Sequence, residues 1–94
     1  MDRDFFRKPN VYNYGNYSSE NYGAHTLCFT DNRGNRYWYS YHALVAFQIG
    51  YEFHIIKNYW GPTTGKHLNW IDSNKSIRED SETFWNNFER LSAA

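Results

Sequence analysis

The chain has 94 residues, room for one small domain, and its 10 Lys and Arg balance 10 Asp and Glu, which disfavours nucleic-acid binding by bulk charge. No apolar run approaches the ~20 residues of a bilayer span, the Met1-Asp2-Arg3-Asp4 start lacks the basic-then-apolar order of a secretory signal, and a soluble cytoplasmic protein is the expectation. A single cysteine, Cys28, excludes an internal disulfide, while 4 Trp, 9 Tyr and 7 Phe far outnumber what a chain with 11 Leu, Ile and Val would ordinarily carry.

Residues 1–23 read as a polar, Tyr/Asn-rich N-terminal arm, partly docked, because Asn, Tyr, Gly and Ser recur there without apolar periodicity. Residues 24–94 read as a single α+β domain. Ala24 to Thr30 has strand content and meets Asp31-Asn32-Arg33-Gly34-Asn35, where Gly34 can take the positive φ of a hairpin loop. Arg36 to Tyr41 returns as a second strand with Tyr37, Tyr39 and Tyr41 on one face and Arg36, Trp38 and Ser40 on the other. His42 to Phe47 fits a strand or a short helical turn, and a strand is preferred. After Gly50, Tyr51 to Tyr59 reads as another strand, stopped by Gly61-Pro62. Thr63 or Thr64 can then cap a short helix over Thr64 to Asp72, with Leu68 and Ile71 inward. Ser73 to Lys75 reads as a turn and Ser76 to Arg78 as an extended piece. Asp80 or Ser81 caps a terminal helix whose Phe84, Phe88 and Leu91 recur at helical spacing, widened by Trp85. The expected fold is thus an antiparallel sheet of three to four strands, a short helix after the last long strand, and a C-terminal amphipathic helix packed on the sheet.

The aromatic excess divides by chemistry. A domain of this size hides only ~60 to 65% of its unfolded surface, and each ring buries ~150 to 250 Å², so Phe29, Phe53, Phe84, Trp85 and Phe88 are expected to replace missing aliphatics in the core. Tyrosine hydroxyls need water or a partner, so several of the nine tyrosines belong at the surface. Tyr12, Tyr14, Tyr17 and Tyr22 in the arm, Tyr37 and Tyr39 on the hairpin, and Trp60 beside the turn are the candidate contact residues of a protein interface.

Motifs for chemistry are sparse. Thr63-Thr64-Gly65-Lys66-His67 at a helix start offers a candidate anion site through Thr63, Thr64, Lys66 and His67, but Gly61 and Gly65 are too close for a Walker loop and His67 stands where its hydroxyl residue belongs. Four histidines fall in different elements without metal-clamp spacing, so no metal and no cofactor is expected. Cys28 reads as an inert buried thiol. No nucleophile or general base is positioned by local pattern, and a non-enzymatic protein is the expectation, with a phosphate-ligand enzyme around Thr63 to His67 the weakest reading.

Three segments carry a resemblance: Tyr17 to Leu27 (YSSENYGAHTL), Tyr39-Ser40-Tyr41 leading into Val45-Ala46-Phe47, and Trp60 to Ile71 with its TTGKHLNWI run. Over residues 17–91 the chain resembles an uncharacterised family of short proteins encoded by phages and mobile elements of Gram-positive bacteria. The resemblance implies a small protein that binds, and in some cases blocks, a larger host machine such as a defence nuclease, with anti-CRISPR action one instance. A host protein is therefore the expected partner, as a monomer or a homodimer and without a membrane. The alternative is a single-stranded nucleic-acid binder that stacks bases on Tyr and Trp while Arg33, Arg36, Lys57 and Lys66 meet phosphates.

Overall fold

A computed structural model describes residues 10–15 and 25–93. The Asp31 to Asn35 loop organises its central hairpin. The Asp31 carboxylate accepts the backbone N–H groups of Arg33 (2.9 Å) and Asn35 (3.0 Å), and Gly34 takes a φ of 85°, a region open to glycine. Burial raises the Asp31 carboxyl, but these N–H donors with the Asn35 and Tyr37 side chains outweigh it and hold the group below its ordinary value. The loop joins β2 (Leu27–Thr30) to β3 (Arg36–Ser40), antiparallel with Cys28 opposite Trp38.

The ambiguous run after Ser40 is strand β4 (Ala43–Ile49), reached through a two-residue turn in which Tyr41 takes a φ of 57°. Its pairing with β3 shifts: Trp38 faces Ala46 and Tyr39 faces Leu44, leaving Val45 as an extra, bulged residue. Gly50, at φ 62°, turns the chain into β5 (Glu52–Ile55). That strand is shorter than the Tyr51 to Tyr59 expectation because the chain changes partner. Ile56 bridges Glu79 in parallel, with Glu79 N–H to Ile55 carbonyl and Lys57 N–H to Glu79 carbonyl both 2.8 Å.

The sheet has five strands rather than three or four, in the order β1-β2-β3-β4-β5. The additional one, β1 (Asn10–Asn13), comes from the polar arm and lies antiparallel to β2 with Val11 opposite Phe29. Composition hides it because an edge strand is held by its backbone and can leave every side chain exposed, as all four of these are. At the end of β1, Asn13 Oδ1 accepts from the Thr26 hydroxyl, and Tyr14 N–H donates to the Thr26 carbonyl at 3.0 Å.

Helix α1 (Pro62–Ile71) begins two residues before the predicted start. Gly61 is its N-cap and makes no side-chain cap bond, so neither threonine caps it; Pro62 serves instead, at a first-turn position where its missing N–H costs nothing. A 3₁₀ turn (Lys75–Ile77) replaces the expected extended piece, and Asn74 Oδ1 accepts from Ser76 N–H. Helix α2 (Ser81–Ser92) has the predicted cap, the Asp80 carboxylate accepting from Thr83 N–H at 2.8 Å.

The two helices cover opposite faces. Ser40, on the Trp38 face, meets Thr64 and His67 of α1, whereas Phe47, on the other, stacks obliquely against Phe84 (5.1 Å) and edge-on against Phe88 (5.2 Å) of α2. Phe47, Phe84, Ile55, Leu68 and Val45 are fully buried. The expected ring core is corrected in part: Phe29, Phe53 and Phe88 are half-buried, and Trp85 is exposed.

The attachment of β1 depends on Gly15, where a Cβ would lie 2.4 Å from Thr26 Oγ1 and 2.9 Å from Thr26 Cβ. Thr26 is fully buried and β-branched, so it has little room to yield. Gly15→Ala is expected to cost about 1–3 kcal/mol in denaturant unfolding and to raise hydrogen exchange in β1.

Candidate functional site

The Ile56–Glu79 bridge carries the segment after β5 to the start of α2, and there the Tyr59 hydroxyl accepts the Ser81 backbone N–H at 2.9 Å. Asn58 fixes the next turn: its Oδ1 accepts Trp60 N–H (2.9 Å) and its Nδ2 donates to the Gly61 carbonyl (3.0 Å). It sits tightly against α1, since a Cβ on Gly65 would lie 3.0 Å from Asn58 Nδ2. These bonds hold Tyr59 and Trp60 edge-to-face at 6.2 Å and aim them outward.

The result is an aromatic notch of about 390 Å³ lined by His42, Leu44, Ile56, Tyr59, Trp60 and Trp85, with Ala43 and Ser81 at its margin. Tyr59 is 55% exposed, Trp60 49% and Trp85 40%, while Ile56 beneath them is 2% exposed. Single exposed rings are ordinary on a protein surface, but three around one apolar floor form a patch suited to contact. Trp60 is the one residue of this group singled out by the sequence. The sequence pattern places Tyr59 in a strand and Trp85 in the core, and Leu44 reaches the notch only through the Val45 bulge.

The predicted interface tyrosines separate. Tyr12 remains 42% exposed on β1. Tyr14 is packed against the core and donates its hydroxyl to the Tyr39 carbonyl at 2.9 Å, so it fastens the chain down rather than presenting itself. Tyr37 is half-buried between Phe29 (6.2 Å) and Phe88 of α2 (6.4 Å), which removes it from an exposed patch; Tyr39 is half-buried on the same face. Tyr17 and Tyr22 lie outside the described residues.

The threonine-rich helix start is likewise divided. Thr63 is exposed, and Lys66 lines a separate concavity. Thr64 and His67 turn inward: Ser40 Oγ lies 3.0 Å from Thr64 Oγ1 and 2.7 Å from His67 Nδ1. An anion cannot reach those two, so the four-residue anion site is not assembled. The Ser40–His67 pair has hydrogen-bond geometry that a nucleophile and base would need. Yet Ser40 is 2% exposed and His67 fully buried, which closes the hydroxyl to substrate and makes the pair a clasp between β3 and α1. His67 also lies between the rings of Tyr41 and Trp70, each 5.6 Å away, and Tyr41 stacks on His25 at 4.4 Å. Burial, then the nearby His25 and Lys66, lowers the His67 pKa below its ordinary value. The Cys28 thiol is raised by burial, as suits an unreactive core cysteine. Among the described residues no group of three His, Cys, Asp or Glu side chains converges as a metal site.

The profile of a family of unknown function, DUF8033, matches residues 10–87. The chain belongs to this family. The DUF8033 span runs from the first residue of β1 into α2 and takes in every residue of the notch. No curated protein and no solved structure matches the chain.

A lowered His67 pKa means that the unfolded chain binds more protons than the folded one as pH falls through the imidazole range, so stability drops with acidification. Unfolding free energy should be constant above the ordinary histidine value of about 6.5 and decline below it. His67→Gln should flatten that decline in denaturant titrations at a series of pH values, whatever its effect on stability at neutral pH.

Proposed function

We propose that the protein is a non-enzymatic interaction module that takes an apolar segment of a partner protein into the Tyr59/Trp60/Trp85 notch. The observation that carries this reading is the retention of three large rings at 40–55% exposure around a buried apolar floor. Aromatic side chains bring large contact area with few rotors to freeze, which is why they dominate binding hot spots. Pre-set orientation adds to this, because Asn58 and Ser81 already hold the Trp60 backbone and the Tyr59 hydroxyl. The balanced charge of 10 against 10 supports a protein surface over a phosphate backbone as partner.

The resemblance to short phage- and mobile-element-encoded proteins supports a host protein as that partner, with occupation of the partner's working surface as the mode of action. The burial of Ser40 and His67 supports the non-enzymatic part, since their pairing is spent inside the fold.

The test is a partner isolated by affinity capture from the native cell and then titrated as purified protein by calorimetry. Trp60→Ala should weaken binding at least tenfold, the loss of one aromatic anchor, with an unchanged unfolding midpoint. Tyr51→Ala, at a fully exposed ring outside the notch, should bind as the parent does. Equal affinity for the Trp60→Ala protein, or capture of oligonucleotide in place of protein, would overturn the assignment.

A further inference from the structure

The segment between the helices gathers cations. Lys66 on α1 and Lys75 and Arg78 at the 3₁₀ turn line a concavity of about 450 Å³, together with Asn58, Pro62, Gly65 and Asn69. No carboxylate and no aromatic ring is among these residues. The acidic neighbours in sequence are engaged elsewhere: Asp72 Oδ1 accepts Asn74 N–H at 2.9 Å, while Glu79 is held by His54 at 2.9 Å and by Asn87 Nδ2 at 3.2 Å.

Arg78 is oriented through one nitrogen. Its Nη2 donates to Asn69 Oδ1 (2.8 Å) and to the Asp72 carbonyl (3.2 Å). Its Nε is buried and has no hydrogen-bond partner among the described residues, and its bonds to them run through Nη2 alone. A fixed guanidinium with a buried donor left over is costly when it stays unmet; with Nη2 engaged by the protein, the free Nη1 N–H groups donate singly to an oxygen of a tetrahedral anion. The two ammonium groups add flexible positive charge on the same wall. Absence of a ring removes the stacking platform that a base needs; the polar lining suits a compact oxyanion better than an apolar ligand.

We propose that this concavity binds a phosphate group, as free inorganic phosphate or as the terminal phosphate of a small monoester. The site relies on side chains from α1 and the following turn, and of Thr63, Thr64, Lys66 and His67 it includes Lys66 alone. It is independent of the notch: none of the exposed rings there lines it.

The experiment is an amide-resolved NMR titration of the full chain at constant ionic strength, with inorganic phosphate and phosphoserine as probes and chloride as the control anion. Saturable shifts are expected at Gly65, Lys66, Asn69 and Lys75 to Arg78, absent with chloride. The double variant Lys66→Gln/Lys75→Gln, altering two exposed side chains, should bind at least tenfold more weakly with its spectrum otherwise retained. Arg78→Lys should also weaken binding, because it keeps charge but loses the planar group that Asn69 and the Asp72 carbonyl orient. Tighter binding of phosphoserine would assign a monoester, and tighter binding of inorganic phosphate the free ion. Shifts that never saturate, that chloride reproduces, or that persist unchanged in the double variant would overturn the proposal. Trp60→Ala should titrate as the parent does, so failure here and failure of the notch are separable.

Discussion

The extra residue in β4 is the constraint on which the two faces of this sheet depend. In an unbroken strand paired through Phe47 and Ala46, Leu44 would fall on the Trp38 face. The Val45 bulge reverses the parity of what precedes it, so Leu44 instead joins Tyr39 and Phe47. Val45, Ala46 and Phe47 are buried in succession because the helices cover both faces of this inner strand. The Val45 carbonyl accepts Ile56 N–H at 3.0 Å, which ties the bulge to the point where the chain leaves β5 for Glu79. A local irregularity therefore supplies both the floor of the notch and the departure of the segment that forms its wall.

Helix α2 binds this arrangement together from the other side. Its Phe84 and Phe88 cover Phe47, and polar bonds at the sheet edge fix its rotation. Arg90 Nη2 reaches Glu52 at 2.8 Å, and Glu52 also meets His54 at 3.2 Å. Arg90 first and His54 second lower the Glu52 carboxyl to about 2. Because Glu52 is open to solvent, that ion pair serves orientation more than stability. With α2 rotated so that Phe84 is buried, Trp85 is carried to the helix shoulder and becomes the third ring of the notch. Packing and presentation are thus two results of one helix rotation.

The polar side chains that invite a chemical reading are mostly consumed by the fold. Ser40, Thr64 and His67 satisfy one another in the interior, consistent with the need of buried polar groups for partners. Arg78 is different, since its guanidinium is held through Nη2 while its buried Nε has no partner among the described residues. The rings of the notch and the cations beside α1 occupy separate places on either side of the Asn58 turn, which contributes to both by holding Trp60 and lining the basic concavity.

Local chemistry in the sequence determined the Asp31 to Asn35 hairpin loop, the alternation of Trp38 and Ser40 against Tyr37 and Tyr39, the Asp80 cap, and the α+β class, because each is decided by near neighbours in the chain. It also marked Trp60. Tertiary structure alone decided that part of a polar arm becomes an edge strand, since backbone pairing leaves no trace in side-chain composition. It decided the fate of the rings: Trp85 obeys helical spacing yet escapes burial, and Tyr37 alternates as a surface residue yet lies under Phe88. The Ser40–His67 clasp spans 27 positions, and the notch joins residues from β4, the turn after β5 and α2. Periodicity specifies which side of an element a residue occupies. What covers that side depends on strand register and helix rotation, which arise only when distant segments pack.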